Sequence, residues 1–197
     1  FKRIISSIVL LPISILIIIY GDLLFKLFLI ICLIFSLYEW FSMKIKKPLN
    51  FFGLVFLIFT FFIGYKLRYE FNENYIYFLV TVLVCIFTDI GGYTFGKLFK
   101  GPKLTNISPN KTYSGMIGGF LLSILILKIL LDSKFLNFEL NLSINSLLLI
   151  FIISLSSQVG DICISYFKRK SKIKDTGKLI PGHGGILDRI DGIIFAV

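Results

Sequence analysis

Charge is scarce in this chain: 16% of its 197 residues are Asp, Glu, Lys or Arg, and only 11 are acidic. A soluble domain averages about a quarter charged residues, so an ordinary water-exposed globular protein is excluded. The three cysteines (Cys32, Cys85, Cys163) lie in or beside apolar runs without zinc-like spacing. They read as small packing residues, which argues against disulfides and a cysteine metal site. His183 is the only histidine, and no Ser-His-Asp arrangement is visible. The apolar runs lack internal repeats and period-2 alternation, which favours a helical bundle over a barrel. Aromatic and basic residues do not interleave as in a single-strand binder, so the formal charge of +10 does not indicate nucleic acid. No small-residue cleavage site follows the first apolar run, and further runs succeed it, so it is not a cleaved signal peptide.

What the chain has is apolar length: 56% hydrophobic residues and a mean hydropathy of +0.90. Six segments stand out: Ile4–Tyr20, Leu23–Phe41, Phe51–Tyr65, Tyr75–Phe95, Gly115–Leu131 and Ile144–Ser165. A spanning helix takes about 20 residues, so the third is short. A seventh begins at Gly192. The expected fold is all-α, a polytopic transmembrane bundle of about six to seven spans. It forms one domain over 1–197, with four spans in 1–95 and the catalytic half in 96–197. The chain starts at Phe and ends inside a new apolar run, which reads as the lack of at least one terminal helix. Most of the 21 Lys and Arg fall on one side: Lys2 and Arg3, the 44–47 loop, the 97–111 loop and the 168–189 segment. By the positive-inside rule that side is cytoplasmic, and six spans alternate without conflict.

Carboxylates lie at the cytoplasmic ends of spans 2, 4 and 6: Glu39, Asp89 and Asp161. Ionisable groups at membrane depth are functional candidates. For Glu39 an interfacial anchor is an equal reading, whereas Asp161 sits in the polar run Ser156-Ser157-Gln158-Val159-Gly160. The stretch 96–119 reads as a flexible basic connector. Its Ser108-Pro109-Asn110-Lys111-Thr112 lies just before a helix N-terminus, where free N–H groups favour an anion. Gly115 and Gly119 have the spacing of close helix packing. From Ser165 to Asp191 the chain gathers Lys168, Arg169, Lys170, Lys172 and Lys174, then Gly182-His183-Gly184-Gly185, then Asp188 and Asp191. Most of these lysines read as topology charges. Glycines flanking a histidine expose backbone N–H groups as in an anion nest. Asp188 and Asp191, three apart, share a face on a helix and suit a divalent cation such as Mg2+.

This last stretch (Ser165, Lys168-Arg169, Lys174-Asp175, Gly177, Pro181, His183-Gly184-Gly185, Asp188-Arg189, Asp191) resembles the signature of the phosphatidate cytidylyltransferases, or CDP-diacylglycerol synthases. Asp89-Ile90-Gly91-Gly92-Tyr93, the Ser108–Thr112 block, Gln158-Val159-Gly160-Asp161, the opening KRIISSIVLLPI and Glu39-Trp40 resemble other blocks of that family. The resemblance implies transfer of CMP from CTP to phosphatidate, giving CDP-diacylglycerol and pyrophosphate, by an integral protein of the bacterial cell (inner) membrane whose site faces the cytoplasm. It implies catalytic roles for Asp161, Asp188, Lys174, His183 and Arg189. Asp161 and Asp188 would form a metal centre with Asp191 close by, holding Mg2+ with room for a second cation. Substrate would meet Asp89, Ser108, Lys111, Thr112, Lys168, Arg169, Gly184 and Gly185. The partners are CTP, phosphatidate and membrane lipid, with no nucleic acid; a homodimer stays open.

Two other readings compete. Asp188-Arg189-Ile190-Asp191-Gly192 resembles the start of the CDP-alcohol phosphotransferase motif, but Ile193-Ile194 stands where Ala-Arg should follow and the downstream aspartates are absent. A transporter fits the glycines and carboxylates within spans, but the charges gather on one side and no inverted halves match.

Overall fold

The structure, a computed structural model, describes residues 2–69, 75–132, 144–180 and 184–197, with 2–8 and 130–132 as backbone only. The long helices are α1 (Lys2–Tyr20), α2 (Asp22–Ser42), α3 (Lys47–Tyr69), α4 (Ile76–Phe99), α5 (Tyr113–Asp132) and α6 (Ile144–Lys170). Two single turns follow, α7 (Leu187–Ile190) and α8 (Ile193–Ala196). Among the described residues there is no β-strand, only isolated bridges at Lys103–Thr112 and Ile180–Gly184. Helices are the expected outcome, because hydrocarbon supplies no partners for backbone N–H and C=O groups.

By length and composition α2, α3, α4 and α6 can each cross a membrane, while the apolar stretches Val9–Tyr20 and Tyr113–Ile129 are shorter. The third segment is longer than its apolar stretch suggests. Helix α3 has 23 residues because polar Lys47, Asn50, Lys66 and Arg68 continue it at both ends. Side chains such as Ile30, Phe52, Ile117 and Leu148 face outward, as lipid solvation allows.

Successive helices run antiparallel, and contacts at each end show it. At one end Arg68, only 7% exposed, reaches the C-terminus of α1. Its Nε donates to the Ile18 carbonyl at 3.0 Å, and its guanidinium lies 5.2–5.8 Å from the ring centres of Phe25, Tyr69 and Tyr75. A cation on a helix C-terminus meets carbonyls that lack intrahelical partners. Arg68→Ala is expected to cost about 2 kcal/mol, the scale of a hydrogen bond from a charged donor. That is a fall of about 4–8 °C in the thermal midpoint of detergent-solubilised protein.

The tightest packing is between α4 and α5, where glycines oppose glycines. A Cβ on Gly91 would lie 2.5 Å from the Gly118 carbonyl oxygen, and one on Gly115 would lie 2.6 Å from that of Gly92. Small residues at this spacing let two backbones touch where lipid gives no hydrophobic drive to associate. The packing role expected for Gly115 and Gly119 is met. Helix α6 joins this pair through a buried Thr88–Ser154 hydrogen bond of 2.7 Å.

The connection between α4 and α5 differs from the flexible connector expected of it. Helix α4 runs to Phe99 and α5 starts at Tyr113, so the loop is shorter than its composition implied. It is also braced: Leu104 N–H donates to the Lys111 carbonyl at 2.7 Å, Lys111 N–H to Ser108 at 3.0 Å, and Tyr113 N–H to Pro102 at 3.2 Å. Hydroxyls add to the brace: Ser108 N–H donates to Thr105 Oγ1 at 3.2 Å, and the Thr112 and Ser114 hydroxyls pair at 3.0 Å.

Candidate active site

At the opposite end from Arg68, α4, α5, α6 and the braced loop enclose a cavity of about 300 Å³. Its walls include Asp89, Ser108, Lys111, Thr112 and Asp161, five residues that the sequence singles out from three separate stretches. Asp161 comes from α6 and Lys111 from the loop, and the two form an ion pair. Thr112 caps α5, its Oγ1 accepting the Gly115 N–H at 3.1 Å. Ser165 lies one turn beyond Asp161, with its hydroxyl 3.5 Å from Oδ1. Gln158, one turn before Asp161, also lines the cavity, as do Thr88, Tyr93 and Asn110. The sequence showed Gln158, Tyr93 and Asn110 within polar blocks but gave no reason to assign them a contact.

A second cluster lies beside it, built on the C-terminal segment. Asp188 is buried and its carboxylate is fully engaged. Oδ1 accepts Lys168 Nζ at 2.7 Å, while Oδ2 accepts Thr176 N–H at 2.8 Å, Gly185 N–H at 3.0 Å and the Thr176 hydroxyl at 3.0 Å. Burial alone would raise this carboxyl's pKa, but the Lys168 and backbone hydrogen bonds together hold it below its ordinary 3.8. Gly185 was expected to offer its N–H to substrate; here that N–H closes on Asp188. Gly184 has φ +87, a left-handed conformation that suits glycine, and a Cβ there would meet Asp188 Oδ2 at 2.7 Å.

Glu39 enters the same cluster from α2. It is 0% exposed, so the interfacial anchor weighed for it is corrected. Oε2 accepts the Thr176 hydroxyl at 2.8 Å and Leu187 N–H at 2.9 Å; Oε1 accepts Ile186 N–H at 2.9 Å. Thr176 thus bridges the carboxylates of Glu39 and Asp188. Nothing local at Glu39 announces partners so far along the chain.

Asp188 and Asp191, expected to share one face, turn to different partners. Asp191 is buried and close enough to Asp161 and Asp89 for their charges to interact. Burial first, and then the negative charge of Asp161, push its pKa well above the ordinary carboxylate value, with Lys168 opposing. Arg189 is exposed but its charge reaches Asp89. Arg169 and Lys174 are exposed as well, and neither forms an ion pair among the described residues. His183 lies outside the described residues, as do Pro181 and Gly182.

The donors around the two clusters are carboxylate oxygens, the chemistry that hard divalent cations prefer. Asp161 and Asp188 each have a lysine partner of their own, and among the described residues no three candidate ligands are drawn together tightly enough to hold one ion. What the arrangement offers is three carboxyl groups gathered at Asp89, Asp161 and Asp191, with cations Lys111 and Lys168 at their border.

The profile of the cytidylyltransferase family matches residues 1–72 and 49–197. A phosphatidate cytidylyltransferase of Rickettsia conorii is 38% identical over 98% of this chain and 86% of its own length. One from Rickettsia felis is 36% identical over 98% and 87%. One from Staphylococcus haemolyticus is 44% identical over 61% of this chain, and the match covers 46% of that relative, less than half its length.

Proposed function

Because the chain belongs to the cytidylyltransferase family, we propose that it transfers CMP from CTP to phosphatidate, giving CDP-diacylglycerol and pyrophosphate. The observation that carries this reading is the cavity in which Asp89, Lys111, Thr112 and Asp161 converge from three parts of the chain. In this reading six helices cross a bacterial cell membrane, a seventh begins at Gly192, and the cavity opens to the cytoplasm, where the lysine-rich loops gather.

The chemistry asks little of a general base. The nucleophile is an oxygen of the phosphatidate phosphomonoester, whose second pKa is about 6, so it is largely ionised at neutral pH. It attacks the α-phosphorus of CTP, forming one P–O bond, while the bond to the β-phosphate oxygen breaks and pyrophosphate leaves with the electron pair. The protein contributes position and charge neutralisation, as in other phosphoryl transfers. Asp161, Asp188 and Asp191 would hold Mg2+ only once Lys111 and Lys168 leave their carboxylates for phosphate oxygens and the three draw closer together; the ion would supply charge neutralisation at the transferring group. Lys111 and Lys168, each partnered by a carboxylate, are the cations nearest to hand for phosphate oxygens; Lys174, Arg169, Arg189 and His183 would extend that positive rim. Thr112, which caps α5, lines the same cavity.

The test is labelled CTP with phosphatidate in mixed micelles, with and without Mg2+. One pyrophosphate per CDP-diacylglycerol, lost on chelation, is the expected result. Release of CMP from a CDP-lipid without pyrophosphate would instead favour a CDP-alcohol phosphotransferase. Lys111→Ala is expected to lower kcat/KM for CTP about 100-fold, the scale of removing one preorganised electrostatic contact.

A further inference from the structure

We propose that Glu39 is a positioning residue for this reaction: its buried carboxylate holds Thr176 and the turn 184–188 in the shape that aims Asp188 and Lys168 at the substrate. The proposal rests on the cytidylyltransferase reading for its kinetic consequence, but not for its geometry.

Three observations carry it. The carboxylate is 0% exposed, and among the described residues its partners all come from the signature segment: the Thr176 hydroxyl, Ile186 N–H and Leu187 N–H, at 2.8–2.9 Å. A buried charge persists only where such partners are supplied, so Glu39 and the segment depend on each other. The segment's glycines fit this carboxylate. A Cβ on Gly177 would lie 2.6 Å from Glu39 Oε1, and one on Gly185 would lie 2.2 Å from Oε2. Gly177 and Gly185, the latter read as ligand-facing, are therefore the room into which the α2 carboxylate fits. Finally, the Thr176 hydroxyl lies 2.8 Å from Glu39 and 3.0 Å from Asp188. That single side chain links the α2 carboxylate to the Asp188–Lys168 pair, so displacing Glu39 shifts what Asp188 and Lys168 present. Glu39 itself does not line the cavity.

Glu39→Gln keeps the volume but turns a donor toward N–H groups that need acceptors. With it, kcat is expected to fall at least 10-fold while KM for CTP stays within about twofold, because the cavity carrying Lys111 and Thr112 is untouched. Thr176→Val is expected to give the same pattern, and the double variant to be no worse than the poorer single one. Backbone hydrogen exchange gives a readout independent of catalysis: the peptide spanning 184–190 should exchange faster in Glu39→Gln, while α4 and α5 exchange as in the unaltered protein. A variant with unchanged kcat per folded molecule and unchanged exchange over 184–190 would overturn the proposal, as would general loss of protection throughout the bundle. If the unaltered protein turned over no CTP, yet Glu39→Gln loosened 184–190 alone, the geometric claim would stand and the cytidylyltransferase reading would fall.

Discussion

Asp188→Ala is expected to reduce cytidylyl transfer about 100- to 5,000-fold in protein that still inserts into membranes. The substitution removes an acceptor of four hydrogen bonds and leaves Lys168, 11% exposed, without its 2.7 Å partner. Breaking a buried ion pair from one side costs about 3–5 kcal/mol. Transmitted in full to the barrier, at about 1.4 kcal/mol per tenfold, that gives the range above. Labelled-CTP incorporation normalised to membrane-inserted protein measures it, and near-normal incorporation would remove Asp188 from the site. Acid should reproduce part of the effect. The folded Asp188 carboxyl titrates below its ordinary 3.8. Its stabilisation is therefore fully present above the ordinary carboxylate range and is lost as pH falls through the folded value. In Asp188→Asn the acid side of the curve of thermal midpoint against pH should be flatter.

Gly91→Ala is the substitution expected to damage the bundle most. Its Cβ would sit 2.5 Å from the Gly118 carbonyl oxygen and 2.9 Å from Gly119 Cα. These are backbone atoms, so no rotamer change relieves the clash and the helices must part. Overpacking typically costs about 1–3 kcal/mol, and rigid neighbours place this case at the upper end. A fall of about 6–12 °C in thermal midpoint follows. Because α4 and α5 also form the cavity walls, CTP turnover should fall with it, by about tenfold. Gly92→Ala is the control for stability: its Cβ would meet only the Gly115 carbonyl oxygen, at an ordinary 3.7 Å. Equal midpoints for the two variants would dismiss the packing argument.

The frame of the bundle is legible because it follows from runs of apolar residues. Leu23–Phe41 becomes α2 at Asp22–Ser42, and Tyr75–Phe95 becomes α4 at Ile76–Phe99. The convergence of Asp89, Lys111 and Asp161 is legible too, since charge at helix ends and antiparallel alternation put all three at one end. The 100–112 loop is not, because Ser, Thr and Asn have the same composition whether they face water or bond one another. Nor are the partners of Glu39: contacts across 137–148 positions leave no local periodicity. Glycine is ambiguous in the same way. Gly185 has one residue name whether its N–H meets a phosphate or the Asp188 carboxylate, and whether its missing Cβ makes room for a ligand or for Glu39.

The late arrival of those partners has a consequence for how the protein is made. Glu39 enters the membrane with α2, but Thr176, Ile186 and Leu187 are synthesised 137, 147 and 148 residues later. At about 5–20 residues per second that is roughly 7–30 s. During this interval the nascent chain carries a carboxylate near hydrocarbon with none of its final donors, a condition that membranes penalise. Only a chain translated past Leu187 can supply all of those donors. A chain interrupted before Thr176 therefore carries an unpartnered carboxylate that a chain translated past Leu187 does not.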